Sequence, residues 1–466
     1  MAIRILRHHV NLPFALLAAV EALLLLLCAI CAAYIRLGAT QAGVAGSWPL
    51  TLSNASVFVA AVLVSMIAMG LYNARQRARI EGVLLRIVAA MAGAVILVAL
   101  VSYFFPAIYF GRGVLAWAVG SAILVTATVR ILFGRVVDER IFKRRVLVYG
   151  AGKQALSISQ LRRRSDQRGF SVAGYVAADA RPTSVAADRV VRPVGSLVAF
   201  AESNDIDEIV VAMDERRQAF PVHELLECRL AGVEVIDLVS FLERETGKVR
   251  LDVLNPSWMI FAQGFSRDPW RQLTSRTFDI AIALMLLILM SPVMLLTALA
   301  IKIEDGLRAP VFYRQLRVGK DGREFNLVKF RSMGLDAEPD GKPRWAQSDD
   351  VRITRVGSVI RKLRVDELPQ LLIVLNGAMS FVGPRPERPE FVVQLSEAIP
   401  YYRERHCVKP GITGWAQLCY PYGSSERDAR EKLQYDLYYV KNHSLVFDLM
   451  ILLQTVEVVL LGKGAR

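Results

Sequence analysis

The sequence is poor in cysteine and histidine, with five of each in 466 residues. Cys28 and Cys31 sit in an apolar run and Cys228, Cys407 and Cys419 are scattered, so neither a disulfide framework nor a zinc-type spacing is present. Reduced, mostly buried thiols are the expectation. Acids are short as well: 43 Asp and Glu face 57 Lys and Arg, a formal net charge of +14. Such an excess points to nucleic acid, anionic lipid or phosphorylated ligands. No helix-turn-helix, zinc-finger or RNA-binding motif occurs, which excludes the first and leaves lipid and phosphate. A secretory signal is missing too, because the first apolar run is too long and lacks a small-residue cleavage site.

What is present in quantity is apolar. Hydrophobic residues make up 54% of the chain, and the mean hydropathy is +0.36. Residues 12–34 form a run long enough to cross about 30 Å of hydrocarbon, and further runs cover about 55–72, 83–105 and 114–134. Glu21 interrupts the first run. Cations mark the orientation. Arg4 and Arg7 precede the first run, Arg75, Arg77 and Arg79 fall between the second and third, and Arg135, Arg140, Lys143, Arg144 and Arg145 follow the fourth. The other two loops hold only Arg36 and Arg112. By the positive-inside rule both chain ends are expected in the cytoplasm, with about four crossings between them.

Residues 141–265 read as a Rossmann-like α/β unit. "RVLVYGAG" is a buried-type strand entering a glycine turn, and "FSVAGYVA", "EIVVAM" and "GVEVIDL" read as further strands between helical stretches. That alternation predicts a parallel sheet covered by helices. The turn Gly150-Ala-Gly152-Lys-Gln-Ala155 is a GxGxxA variant between strand and helix, placed for a pyrophosphate. It reads equally as a tight turn that binds nothing. Asp179 is a late candidate for the ribose acid. No Tyr-x-x-x-Lys pair lies nearby, which disfavours a complete dehydrogenase site.

The apolar stretch 278–304 differs from the others. Arg267, Arg271 and Arg276 flank one end, and Lys302, Arg308, Arg314 and Arg317 the other, so both ends belong on one side. Pro292 removes a hydrogen bond near its middle, where Ser291 is placed to satisfy the freed group. The reading is a helix–break–helix hairpin dipping into one leaflet, against the alternative of a straight buried span. The later run from Leu445, interrupted by Asp448, Gln454 and Glu457, reads as a helix on the membrane or against the core.

Chemistry concentrates in residues 311–420. "LVKFRSM" puts Lys329 and Arg331 on one face of a strand. In "FVGPRPERPEF" two prolines stiffen the backbone around Arg385, a residue suited to gripping phosphate oxygens. "RVDELPQLL" holds Asp366 and Glu367 just ahead of Pro369. Neighbouring residues on a helix do not face one another, so the two acids do not share a proton. With Asp366 at an N-cap, the helix dipole keeps it ionised and able to attack phosphorus. Glu367, pointing elsewhere, suits a divalent cation such as Mg²⁺. Taken alone, the pair reads as a capped helix start.

Taken together, the hairpin, Lys329-Phe-Arg331-Ser332-Met333, Asp366-Glu367-Leu368-Pro369-Gln370, Gly383-Pro384-Arg385-Pro386-Glu387 and Lys409-Pro410-Gly411-Ile-Thr-Gly414-Trp415 resemble the bacterial sugar transferase family. These are polyprenyl-phosphate glycosyl-1-phosphate transferases in their large monotopic form, and the likeness is greatest to initiators of exopolysaccharide synthesis. The resemblance implies three parts: a transmembrane helical bundle over 1–140, the Rossmann-like domain over 141–265, and an α/β monotopic catalytic domain over 266–466 with the re-entrant helix 278–304. It implies that Asp366 attacks the β-phosphate of a UDP-sugar and releases UMP. Undecaprenyl phosphate then takes the sugar phosphate from the aspartate. Glu367 is the Mg²⁺ partner in this scheme, Arg385, Lys329 and Arg331 contact phosphate, and Ser291 and Pro292 break the re-entrant helix. A homodimer in the bacterial inner membrane, with its active site on the cytoplasmic face, completes the expectation. Two alternatives are carried beside it: a membrane-anchored NAD-dependent nucleotide-sugar epimerase or dehydratase using Gly150, Gly152 and Ala155, and a non-catalytic scaffold of a polysaccharide export system.

Overall fold

The computed structural model describes residues 2–5, 8–42, 48–72, 80–106, 108, 110–136, 143–161, 169–177, 183–193, 195–215, 220–254, 269–334, 352–420, 423 and 425–460. The chain divides into two compact units, Met1–Thr246 and Gly247–Arg466. The boundary expected after residue 265 falls outside the described residues, as do Asp179, Arg75, Arg77, Arg79, Arg140 and Arg267.

The N-terminal unit holds the four expected apolar helices, Leu12–Ala42, Trp48–Ala68, Ile80–Phe104 and Arg112–Val136. Their shared core is built from Phe58, Met66, Ile87 and Met91 with small partners Ala90, Ala94, Ala118 and Ala122. Leu23, Ile96 and Leu124 point outward and stay exposed. Small residues let helix backbones approach closely, and large apolar ones face lipid, as a membrane bundle requires. Glu21 is 1% exposed and paired. Arg130 reaches it at 2.8 Å (Nε to Oε1) and 2.9 Å (Nη2 to Oε2). The Tyr72 hydroxyl donates to the same carboxylate. The acid in the first apolar helix thus ties that helix to the fourth through its ion pair with Arg130.

The same unit contains a five-stranded parallel sheet, with strands paired in the order Val190–Val191, Phe170–Val176, Arg144–Tyr149, Glu208–Val211, Glu234–Asp237. In chain order this is 3-2-1-4-5, the doubly wound pattern with its switch point beside the first strand. The strands read as continuous apolar runs because both faces are covered: Val146, Leu147 and Val148 are 0% exposed. Only the two-residue strand Val190–Val191 was not legible in the pattern.

The C-terminal unit opens with a 37-residue helix, Pro269–Asp305. An antiparallel hairpin follows, Phe312–Val318 with Glu324–Phe330. Helix Arg355–Lys362 leads through a 3₁₀ turn, Val365–Glu367, into helix Gln370–Asn376. Strand Ser380–Val382 pairs in parallel with Gly411–Thr413. Helices Pro389–Ala398, Glu426–Asn442 and Leu445–Leu460 complete the unit. Its core joins Ala283, Leu371, Val374, Met379, Trp415, Tyr439, Phe447 and Ile451. The last helix lies against this core, with its interrupting Asp448 and Gln454 both buried. None of the five cysteines is in a disulfide, but Cys31 and Cys407 are exposed and only Cys28 and Cys228 are buried. The expectation of mostly buried thiols is corrected there. Cys31 sits on a bundle helix, where an apolar side chain can face lipid at no cost.

Candidate active site

The site grows from the hairpin. Strand alternation sends Phe330 into a cluster with Ile301 and Ile360, and Lys329 and Arg331 to the other side. The two cations then part company. Lys329 Nζ donates to Glu367 Oε1 at 2.9 Å. Arg331, 6% exposed, donates instead to Asp305 at the end of the long helix.

The acids arrive by a forced turn. Helix Arg355–Lys362 is capped by Thr354, whose hydroxyl accepts from Gly357 N at 2.9 Å. It stops where Arg364 adopts φ +56, a left-handed conformation that costs a non-glycine residue about 1 kcal/mol. The 3₁₀ turn Val365–Glu367 follows directly. Asp366 is therefore not an N-cap, contrary to expectation. Pro369 already has helical angles, and the first helical N–H groups bond turn carbonyls, Leu371 N to Leu368 O and Leu372 N to Pro369 O. Neither of these two N–H groups is left for the Asp366 carboxylate.

The two carboxyls differ electrostatically. Burial would raise Glu367, but Lys329 and then Arg385, whose Nη2 lies 3.5 Å from Oε1, hold it down at about 2. Burial raises Asp366 above the usual aspartate range, opposed by Lys329 and assisted by the charge on Glu367. Asp366 is half-buried, and among the described residues its oxygens accept no hydrogen bond. One carboxylate is thus locked to cations, while its neighbour's oxygens accept no hydrogen bond from the described residues. Lys329 is pulled downward by its own burial, with Glu367 working against that pull.

Arg385 stands on the loop after Ser380–Val382. Glycines let this loop meet the Gly411–Thr413 strand at backbone distance. A Cβ on Gly383 would lie 2.3 Å from Lys409 O, and one on Gly414 2.3 Å from Gly383 O. The Gly-Pro-Arg-Pro and Pro-Gly-Ile-Thr-Gly segments are therefore two halves of one ladder.

Pro292 stays inside the long helix, whose residues are helical on both sides of it. The carbonyl it frees is Ile288 O, and Ser291 Oγ donates to that atom at 2.9 Å. Contacts that sequence reading missed hold the helix at both ends. Arg276 donates to Val374 O and Leu375 O. Asp279 accepts from Ser380 Oγ at 2.9 Å and Phe381 N at 3.1 Å. At the far end Glu304 accepts from Arg355 N at 2.8 Å and Val356 N at 3.0 Å. The only advance signal was a charge placed inside or beside an apolar run.

A profile of the bacterial sugar transferase family matches residues 270–462, and one of a CoA-binding domain matches 67–230. A UDP-glucose:undecaprenyl-phosphate glucose-1-phosphate transferase from Escherichia coli (strain K12) is 34% identical over 361 residues, 75% of this chain and 76% of that protein. Its namesake from Xanthomonas campestris pv. campestris is 31% identical over 364 residues, 75% of this chain and 74% of the relative. The chain belongs to the bacterial sugar transferase family. A UDP-N-acetylgalactosamine-undecaprenyl-phosphate N-acetylgalactosaminephosphotransferase from Aeromonas hydrophila is 44% identical over 242 residues. That match spans 52% of this chain and 56% of the Aeromonas protein.

The sugar transferase region contains the long helix, Lys329, both acids and Arg385. Among the described residues no group of three or more His, Cys, Asp or Glu side chains is arranged for a metal. Two adjacent carboxylates, one of them ionised down to about pH 2, still suit Mg²⁺, which takes one or two protein carboxylates and fills its shell with phosphate oxygens and water.

The glycine turn of the middle domain sits in the other profile's range. Gly150, at φ +131, would carry a Cβ 2.3 Å from Ala212 O. Asp214 accepts from Lys153 N at 2.9 Å and Gln154 N at 2.8 Å. A Cβ on Gly152 would strike that carboxylate at 2.1 Å. Ala155 is 0% exposed. A pyrophosphate at this turn would have to displace Asp214.

Proposed function

We propose that the chain transfers a sugar 1-phosphate from a UDP-sugar to undecaprenyl phosphate and releases UMP, as the first membrane step of exopolysaccharide synthesis. The observation that carries the reading is Asp366 beside a Glu367 held by Lys329 and Arg385, in a chain of this family. In the first step an Asp366 oxygen attacks the β-phosphorus and the bond to the UMP oxygen breaks. In the second a phosphate oxygen of undecaprenyl phosphate attacks the same phosphorus and Asp366 leaves. Phosphoryl transfer depends mainly on positioning and charge stabilisation, and Lys329 and Arg385 supply both. Glu367 with Asp366 would hold Mg²⁺, which neutralises diphosphate charge. Arg331, turned to Asp305, serves by tying the strand to the long helix, and its phosphate contact belongs to the same proposal.

The long helix is read as re-entrant, from the cytoplasmic face of the inner membrane. Straight, its 37 residues would extend about 55 Å. Yet Arg276 and Asp279 at one end and Glu304 and Asp305 at the other all bond to the same unit. Between them Met285, Ile288, Leu289, Leu295 and Leu296 are exposed, which suits hydrocarbon. The homodimer rests on the family likeness, and crosslinking in membranes tests it. The oxidoreductase alternative is disfavoured by Asp214, which occupies the turn it needs.

The test incubates membranes carrying the protein with a panel of UDP-sugars and undecaprenyl phosphate, reading UMP and the mass of the lipid product. Asp366→Asn should lose on the order of 10³-fold or more in turnover while folding normally. Wild-type turnover in that variant removes the nucleophile, and unchanged polysaccharide output in cells would favour the scaffold reading.

A further inference from the structure

Arg385 is useful only if its guanidinium is held in place, and its loop gives the backbone unusually little freedom. Pro384 and Pro386 fix their own φ angles and contribute no N–H. Four consecutive carbonyls are all engaged. Pro384 O accepts from Gly411 N at 3.0 Å, Arg385 O from Arg405 Nη2 at 3.0 Å, Pro386 O from Arg317 Nη1 at 3.1 Å, and Glu387 O from Val318 N at 2.9 Å. Two of these donors are backbone. The other two are arginines from elements far apart in sequence, strand Phe312–Val318 and the 3₁₀ turn Arg403–Cys407.

Arg405 is itself anchored. It is 5% exposed, and its partner Asp436 is 3% exposed. Its Nε and Nη2 donate to Asp436 Oδ2 at 3.1 and 2.8 Å, and Nη1 donates to the Tyr402 hydroxyl at 2.9 Å. A buried ion pair of this kind gives little net stability, so stability alone is a poor reason for it. What the pair does provide is one fixed N–H aimed at the Arg385 carbonyl. Only a guanidinium has enough donors in a rigid fork to serve Asp436, Tyr402 and that carbonyl together. Arg317 is placed likewise, with Nη1 also 3.6 Å from Glu387 Oε2 and Nη2 on Gln315 Oε1.

We propose that Arg405 and Arg317 are positioning residues that clamp the Pro384–Glu387 backbone and thereby fix the Arg385 guanidinium over Glu367. The inference rests on the transferase reading of that site. Neither residue touches substrate, and both act through Arg385.

The test uses the purified full-length protein with a UDP-sugar and undecaprenyl phosphate, comparing Arg405→Lys, Arg317→Lys and Arg385→Ala, singly and combined. A small misplacement near the chemistry can cost about 10²-fold. Arg405→Lys should lower kcat roughly 30-fold and Arg317→Lys roughly 5-fold, with KM for either substrate changed less than about 3-fold. In the Arg385→Ala background each should cost less than about 2-fold, because residues acting through one side chain are not additive. Full additivity, or a loss confined to KM, overturns the clamp. If Arg405→Lys fails to fold, as judged by size exclusion, Arg317→Lys decides alone, since its side chain is nearer the surface at 19% exposure. An Arg385→Ala protein with wild-type turnover overturns the site reading and the clamp with it. An impaired Arg385→Ala with unaffected lysine variants overturns the clamp alone.

Discussion

Each α/β region of the chain places a carboxylate in a turn beside the start of a helix, and the two regions use them in opposite ways. In the middle domain Asp214 is spent on two backbone N–H groups at the start of helix Lys153–Ser159. In the sugar transferase region Leu371 N and Leu372 N bond turn carbonyls, and among the described residues Asp366 accepts no hydrogen bond. A glycine turn that looks built for phosphate is filled by the protein's own acid. An acid pair that looks like a helix cap is kept out of that role. The difference lies in where the donors go: a carboxylate bonded to N–H groups is a structural anion, and one beside bare cations is available for chemistry.

The largest effect that sharpens this contrast, after loss of Asp366, belongs to Lys329. Its Nζ is the nearest cation to Glu367 and the main charge lowering both acids. Lys329→Met leaves a largely buried carboxylate without its principal partner and removes a donor at the transferring phosphate. Turnover should fall on the order of 10²- to 10³-fold, measured as UMP release. Were the loss only two- or three-fold, the cations around Glu367 would be as structural as the N–H groups around Asp214.

A third acid tests the comparison on stability. Asp448 is buried, among the described residues only the Tyr439 hydroxyl donates to it, at 2.7 Å, and burial pushes it up to about 7. Its folded pKa lies above its unfolded value, so its contribution is complete below about pH 4 and is lost as pH rises through about 7. The cost at pH 8 is on the order of 3 kcal/mol. His406 and His443 work the other way: burial holds them down at about 4, so each adds stability as pH rises through the unfolded histidine value of about 6.5, and the Asp448 contribution is read as a difference from a variant lacking it. Between pH 6 and 8 about 1.4 kcal/mol of this is lost, so the thermal midpoint of the wild-type C-terminal unit should fall by roughly 3–5 °C relative to that of Asp448→Asn over the same interval. An unchanged slope in the variant assigns the pH dependence elsewhere.

These contrasts show which parts of the molecule were legible in advance. The four apolar runs and the parallel sheet follow from local composition and period, though the first helix runs on to Ala42 and the second already starts at Trp48. That Lys329 and Arg385 meet at Glu367 was legible in part, because all three stand in short motifs of one segment. Asp214 was not, because it reaches Lys153 and Gln154 across about 60 residues and nothing local marks it. The same holds for Asp305 taking Arg331 away from Glu367 and for Asp436 orienting Arg405. The N-cap reading of Asp366 failed for a related reason: the left-handed Arg364 and the 3₁₀ turn after it answer to the packing of two helices, which no spacing rule encodes.

The smallest effect is expected at Asp214, and it is the one that separates the two turns most cleanly. Asp214→Ala removes the anion that accepts from Lys153 N and Gln154 N. Loss of a helix cap costs about 1 kcal/mol, and here water can reach the exposed turn to replace part of the bond. The N-terminal unit should lose roughly 2–4 °C in its thermal midpoint, while sugar-phosphate transfer stays within about two-fold of wild type. A fall in turnover comparable to that of Lys329→Met, at unchanged stability, would mean that the glycine turn takes part in the reaction, and the division between a structural and a chemical carboxylate would then be wrong.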